Sequence, residues 1–214
     1  VRSELTNATL SGIAGTALES NAGAMNASQI TIRDTNGDAV IAGGTAQLEI
    51  SDATIDDSLI SGITNSGSGS ITANDVQITA TTQSSVRTSG GSTGTITLTE
   101  SSIDGSLASG GRSVTGILMQ GDGDVTLTQT TLTESQTGVD VTGNGKFVMD
   151  GGLITNVSTN GISLRPTAPV GADSGSAELT GVTMSNFGSN GIFAQGIGAA
   201  GLGGSVSFLN STLS

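Results

Sequence analysis

The octapeptide ITLTESSI at residues 96–103 decides the fold of this chain. It consists of an apolar–x–apolar triplet, four small or polar residues and one more apolar residue. The same unit returns along the chain as VTLTQTTL at 125–132, FVMDGGLI at 147–154, AELTGVTM at 177–184 and VSFLNSTL at 206–213. Because alternation with a period of two turns one side of a strand inward, each copy predicts a short, half-buried β-strand.

Weaker copies, LEISDATI at 48–55 and ITANDVQI at 71–78, extend the repeat toward the N-terminus. We call the central apolar residue of each copy its anchor. Anchors recur every 20 to 30 residues, and each is followed five residues later by Leu, Ile or Met. The predicted anchors are Leu5, Met25, Ile50, Ala73, Leu98, Leu127, Met149, Leu179 and Phe208.

A second element follows within most units, a small residue and then an apolar–x–apolar triplet. Its clearest copies are GILM at 116–119, GVDV at 138–141, GISL at 161–164 and GIFA at 191–194. A constant strand core with loops of variable length is typical of stacked coils, and parallel crossovers wind right-handed. We therefore predict an all-β fold, a right-handed parallel β-helix (β-solenoid) of about nine coils of 20–30 residues.

We expect residues 1–214 to form one β-helix segment of a longer protein. A β-sandwich is the alternative, but it does not predict the constant offset from each anchor to the next apolar residue.

Composition excludes several classes of function. The 214 residues include 34 Gly and four Phe, but no Tyr, Trp, His or Cys. The chain therefore has no zinc or haem site of the usual kind, no Ser–His–Asp or Cys–His nucleophile and no disulfide, and we expect no cofactor. The formal charge of −12 would repel nucleic acid. No apolar run reaches the ~20 residues of a membrane helix, so we expect no membrane span in this segment.

The units KFVMDGGLITNVSTNGISL at 146–164 and AELTGVTMSNFGSNGIFA at 177–194 resemble coils of autotransporter passenger domains, the pertactin-like β-helices of Gram-negative surfaces. The resemblance lies in the style of the repeat and covers essentially the whole chain. It implies secretion through the outer membrane, a place at the cell surface, and roles in adhesion, virulence or biofilm.

Loops on a rigid scaffold are the usual place for binding, and several lie at one predicted edge of the stack. They are Arg165–Gly175, which holds both prolines, Gln195–Gly204 and Gln120–Asp124, whereas the insertion Asp104–Thr115 is expected at another edge. The alternative is that these loops are tolerated insertions without a partner. The candidate binding residues are Arg165, Pro166, Pro169, Asp173 and Gln195.

Two acidic stretches are weak candidates for Ca²⁺ binding. Asp122 and Asp124 form one, and the run from Asp34 to Asp38 forms the other. Neither matches a complete calcium motif, and Asp-Gly and Asn-Gly are ordinary turn dipeptides. We therefore expect no metal site.

We expect a non-catalytic adhesin segment that binds a protein or glycan of host or bacterial cells, and possibly itself. The sequence shows no pair of carboxylates recurring at one outward position of adjacent coils, which glycosidase chemistry needs. Two alternatives stay open: a self-associating structural stalk of a biofilm or phage spike, and a polysaccharide-degrading β-helix enzyme.

Overall fold

The computed structural model describes residues 2–107, 111–165, 175–195 and 205–214. The only helices or strands in these ranges are β-strands, and neighbouring strands pair in parallel between successive coils. The chain winds through nine coils as a right-handed parallel β-helix, which confirms the predicted fold.

The larger sheet, sheet 1, has 14 strands and forms two sides of each coil. Its strands are β1 (Arg2–Thr6), β2 (Thr9–Ile13), β4 (Ala24–Ser28), β5 (Thr31–Thr35), β7 (Gln47–Ser58), β9 (Ser70–Thr79), β11 (Thr95–Thr99), β12 (Ser102–Asp104), β14 (Val125–Thr133), β16 (Lys146–Val157), β18 (Ser176–Thr180), β19 (Thr183–Phe187), β21 (Val206–Leu209) and β22 (Thr212–Leu213).

Sheet 2 has eight strands, forms the third side and corresponds to the second sequence element. Its strands are β3 (Leu18–Ser20), β6 (Val40–Ala42), β8 (Ser61–Asn65), β10 (Ser84–Thr88), β13 (Thr115–Met119), β15 (Thr137–Val141), β17 (Ile162–Leu164) and β20 (Ile192–Ala194).

The anchors form one file through the core. Leu98 pairs with Leu127 and Leu127 with Met149 on consecutive coils, and all three side chains are fully buried. Eight of the nine predicted anchors occupy this file, from Leu5 to Phe208. Burial of such side chains contributes roughly 1.5–3 kcal/mol each, so this file is a main source of stability.

The predicted anchor Met25 is wrong by two residues. Leu5 pairs with Ala27, and Ala27 pairs with Ile50, whereas Met25 lies opposite Ser3 and Leu48 in the neighbouring file. Hydropathy favoured Met25 because alanine is a weak apolar signal, but backbone pairing sets the register. The offset of five residues still holds, because Ile32 follows Ala27 and pairs with Ile55.

The backbone bends sharply within sheet 1 of every coil. The residue two positions after the anchor has a positive φ, between 49° and 68°, in all nine coils. We call this column the left-handed corner: Asn7, Gln29, Asp52, Asp75, Glu100, Gln129, Gly151, Gly181 and Asn210. Gly, Asn and Asp accept this conformation readily, whereas Glu and Gln are strained in it.

Replacing Glu100 by asparagine is expected to raise the free energy of unfolding by about 0.5–1 kcal/mol, because asparagine tolerates the left-handed region. Urea unfolding measures the change. The control is Gln77→Asn, at an exposed strand position without a positive φ, where no gain is expected. An equal response of the two variants would contradict the strain at Glu100.

Within the described ranges, no helix has the length and hydropathy needed to cross a membrane.

Candidate functional site

The outer face of sheet 2 carries a row of recessed side chains. The middle residues of successive strands pair in the order Thr64, Arg87, Leu118, Asp140 and Ser163, which we call the outer row. Their neighbours along each strand, such as Val139 and Val141, are buried in the core, so the outer row lies on the opposite face.

Three polar side chains of the outer row are more buried than outward side chains on sheet 1. Thr64, Asp140 and Ser163 are only 4%, 6% and 2% exposed, whereas the outward residues Glu49 and Thr72 of sheet 1 are exposed. Neighbouring side chains contact these outward polar groups, as Arg165 does Asp140 and Asp38 does Thr64, so polar contacts on this face are shielded from water.

The predicted site residue Arg165 joins the outer row from the coil above Asp140. Its Nε donates to Asp140 Oδ1 at 3.2 Å, and its Nη2 pairs with Oδ2. The aspartate side chain is 9% exposed and the arginine side chain 48% exposed. A bidentate pair of this kind fixes the orientation of the carboxylate.

Arg87 has a different environment. It is half-buried, and its buried Nε has no hydrogen-bond partner in the described part of the chain. It forms no ion pair with any other residue that the structure describes. The adjacent Thr64 hydroxyl is occupied, since it donates to Asp38 Oδ1 at 2.8 Å. The guanidinium of Arg87 therefore keeps donor capacity that no described residue uses.

The outer row brings together residues that are far apart in the chain. Arg87 and Asp140 lie two coils apart, a separation of about 10 Å at the usual strand spacing. The formal charges on this face between coils four and seven, from Arg87, Asp140 and Arg165, add up to +1. The whole chain, by contrast, has a net charge of −12. Sequence analysis missed Arg87 because its grouping with Asp140 depends on register. The available signal was the position of Arg87 in the middle of a strand with period-two alternation, which predicts an outward side chain.

Of the remaining loop candidates, Gln195 lies opposite Arg165 on the next coil, because Leu164 pairs with Ala194. Gln195 is exposed, and its backbone N–H donates to the Leu164 carbonyl at 2.9 Å. Pro166, Pro169 and Asp173 lie outside the described residues. Binding by these residues stays a prediction.

The carboxylates of Asp122 and Asp124 each accept a hydrogen bond from the next coil. Asp122 Oδ1 accepts from Asn144 Nδ2 at 2.8 Å, and Asp124 Oδ1 accepts from the backbone N–H of Lys146 at 2.7 Å. In the part of the chain that the structure describes, no group of three or more acidic residues is arranged to hold a metal ion. The expectation that this pair forms no metal site stays a prediction.

The expectation that no carboxylates recur at one outward position is wrong. Asp52, Asp75 and Glu100 occupy the left-handed corner on three consecutive coils, and all three are exposed. Adjacent members are about 4.8 Å apart along the stack. Their irregular spacing in sequence hid this arrangement, because coil lengths differ.

A shallow, uncharged groove of about 310 Å³ crosses coils three to five at the edge where sheet 2 returns to sheet 1. Gly69 and Gly94 line it together with hydroxyl residues such as Ser68 and Thr93. The buried Asn65 side chain supports this edge, because its Nδ2 donates to the Gly69 and Thr95 carbonyls.

Solved structures that share this fold are carbohydrate-active enzymes. The periplasmic alginate epimerase AlgG matches with a TM-score of 0.61 at 12% identity, over 88% of this chain and 50% of the epimerase. A mutant of the same epimerase matches with a TM-score of 0.51 at 12% identity, over 95% of this chain and 76% of its own. This chain thus spans about half the length of the first epimerase structure.

The catalytic unit of a GH87 alpha-1,3-glucanase from Streptomyces thermodiastaticus has a TM-score of only 0.39 at 14% identity, over 98% of this chain and 49% of its own, and adds nothing to the fold assignment. No family model matches the chain, and no curated protein matches it in sequence.

These matches correct the functional prediction. The chain resembles autotransporter passenger domains only in its parallel β-helix fold, and the adhesin, virulence and biofilm roles have no support. The predictions of a non-catalytic adhesin and of no enzyme are wrong, because the proteins of this fold that match are enzymes acting on polysaccharides. At 12% identity the likeness shows the fold alone, so activity and substrate are matters for proposal.

Proposed function

We propose that this chain is part of an extracytoplasmic, carbohydrate-active protein that binds an acidic polysaccharide along the outer row of sheet 2. The observation that carries the proposal is Arg87, a half-buried side chain on the outer face of sheet 2, whose Nε has no hydrogen-bond partner among the described residues. A buried donor without a partner is costly, and a bound ligand toward which the side chain turns would remove that cost.

The chemistry of the outer row favours a sugar carboxylate as that acceptor. Guanidinium binds carboxylate through two parallel hydrogen bonds, and Arg87 is free of the ion pairing that occupies Arg165. The local excess of positive charge would attract a uronate unit into this part of an otherwise acidic protein. The epimerase that shares this fold is named as an alginate epimerase, so alginate is the first polysaccharide to test.

The arrangement also suggests a reaction. Neutralising a sugar carboxylate makes the proton on the adjacent carbon easier to remove, and a positioned carboxylate is a suitable general base. Arg87 would neutralise the uronate, Asp140 would accept the proton, and Arg165 would hold Asp140 in place. Epimerisation and β-elimination both begin with this step.

The location outside the cytoplasm is supported by the periplasmic epimerase that shares the fold. A place at the outer-membrane surface rests on the autotransporter resemblance alone and stays a prediction.

Replacing Arg87 by methionine tests the proposed binding site. We expect binding of alginate oligosaccharides to weaken at least about tenfold, since a charge-assisted hydrogen bond contributes roughly 1.5–3 kcal/mol. The free energy of unfolding should not fall, because the native Nε has no partner to lose. Titration calorimetry and urea unfolding measure the two effects.

Arg33→Met is the matched control, because Arg33 is an exposed arginine on β5 of sheet 1. It should leave alginate binding unchanged. The proposal is wrong if the unaltered protein binds neither alginate nor pectate oligosaccharides, or if the two variants bind alginate equally well.

Asp140→Asn tests the reaction separately from binding. We expect the variant to bind alginate and to lose its conversion, because an amide cannot accept the proton. Proton NMR of the polymer distinguishes epimerised units from unsaturated ends. Conversion by Asp140→Asn at the wild-type rate would exclude Asp140 as the base.

A further inference from the structure

Residues 105–107 and 111–113 pair with each other and depart from the coil pattern, and we call these two segments the hairpin. Ser106 and Arg112 make an antiparallel bridge, and the Leu107 N–H donates to the Gly111 carbonyl at 3.0 Å. The hairpin leaves the stack between β12 and β13 and carries Arg112 toward the following coils.

Arg112 spans two of those coils. Its Nη2 lies 2.8 Å from Glu134 Oε2, and its Nη1 donates to the Asn156 carbonyl. The two charged side chains are about one-third exposed, at 35% for Arg112 and 32% for Glu134. The hairpin is thereby tied to a corner of coils six and seven.

A shallow, open depression of about 460 Å³, the hairpin pocket, is lined by Arg112, residues 156–158 and residues 186–188. The pocket is at the edge where sheet 1 leads into sheet 2, and it is separate from Arg87 and the outer row.

The lining is polar but nearly uncharged. Asn186 Nδ2 donates to Asn156 Oδ1 at 3.1 Å, which leaves Asn186 Oδ1 as an acceptor and Asn156 Nδ2 as a donor. Glu134 offsets the charge of Arg112. Ser158 adds a hydroxyl, and Phe187 packs against the core and is half-buried at the edge of the pocket.

We propose that the hairpin pocket binds a neutral saccharide unit. Two amides and a guanidinium are planar groups that match pairs of neighbouring sugar hydroxyls, and the part of Phe187 that the core leaves uncovered adds apolar surface for sugar C–H groups. The carboxylate of Glu134, which is paired with the Arg112 guanidinium, would repel an anionic ligand. The inference does not depend on the acidic polysaccharide proposed for the outer row.

Asn186→Gly removes one amide without straining the backbone, because Asn186 has a φ of 58° that glycine accepts. Phe187→Leu removes the ring and keeps an apolar residue. The matched control is Asn210→Gly, which removes an exposed amide at a φ of 52° in the left-handed corner, away from the pocket.

The experiment titrates the full 214-residue chain and its variants with maltotetraose, laminaritetraose and cellotetraose, using NMR chemical shifts and calorimetry. At least one tetrasaccharide should bind. Asn186→Gly and Phe187→Leu should each weaken it about tenfold, a change of about 1.4 kcal/mol. Asn210→Gly and Arg87→Met should bind it as the unaltered chain does.

The inference is overturned if none of the three tetrasaccharides binds at millimolar concentration, or if Asn186→Gly and Phe187→Leu bind as tightly as Asn210→Gly. Loss of tetrasaccharide binding in Arg87→Met would also overturn it, because the sugar would then occupy the outer row. Failure of alginate to bind affects only the outer-row proposal, so the two results are separable.

Discussion

Replacing Gly69 by alanine is expected to lower the free energy of unfolding by at least about 3 kcal/mol, the upper end of the usual cost of overpacking. A β-carbon at Gly69 would lie 1.8 Å from the carbonyl oxygen of Ala46 and 2.7 Å from its nitrogen. These are backbone atoms of the preceding coil, so no side chain can move aside. The coil would have to shift and break its parallel pairing.

The same restriction recurs at this edge of the stack. A β-carbon on Gly94, Gly123 or Gly145 would lie 2.0–2.1 Å from a glycine carbonyl oxygen one coil earlier. Glycine is thus required here by the close approach of successive backbones, and Gly69→Ala samples the tightest of these four contacts.

Gly90→Ala is the control for Gly69→Ala. Gly90 has no positive φ, and a β-carbon there meets nothing within 4 Å, so its stability should stay within about 0.5 kcal/mol of the unaltered chain. Urea unfolding followed by circular dichroism compares the two variants. Equal unfolding midpoints would show that coils slide apart at little cost.

Replacing Leu127 by alanine is expected to cost about 2–5 kcal/mol, the usual range for a buried leucine whose cavity cannot collapse. Leu127 is fully buried and lies in the anchor file between Leu98 and Met149. Parallel pairing on both sides holds the neighbouring coils in place, so the space would remain empty.

The position of Leu127 in the stack adds a second expected effect. Each coil of a solenoid contacts only its neighbours, so a weak coil in the middle divides the unfolding transition. We expect a broader urea transition as well as a lower midpoint. Leu59→Ala is the control, because Leu59 is 53% exposed and should unfold as the unaltered chain does. A Leu127→Ala midpoint equal to that of Leu59→Ala would contradict the buried anchor file.

Most of the fold could be predicted from local patterns. The offset of five residues between each anchor and the next apolar residue identified the strands, because both side chains point into one core. The prediction was wrong where the apolar signal was weak, at Met25 and Ala27, since hydropathy does not encode which carbonyl accepts which N–H.

The candidate sites were harder to predict. Arg165 was identified from its loop, but Asp140 contacts it, and Arg87 joins the same face, only when coils of unequal length are stacked. The acidic corner of Asp52, Asp75 and Glu100 was missed for the same reason. The non-catalytic interpretation failed because it relied on the style of the repeat, which enzymes and adhesins share.

The amino-acid sequence by itself determined that this chain forms short strands with one buried face and that these strands repeat as coils, because periodicity and turn residues act within a few positions. Only the tertiary structure decided which residues share a surface. Register and loop length place Arg87 two coils from Asp140, and burial leaves its Nε without a partner among the residues that the structure describes. Both properties arise from contacts between coils, across distances in the chain that no local pattern records.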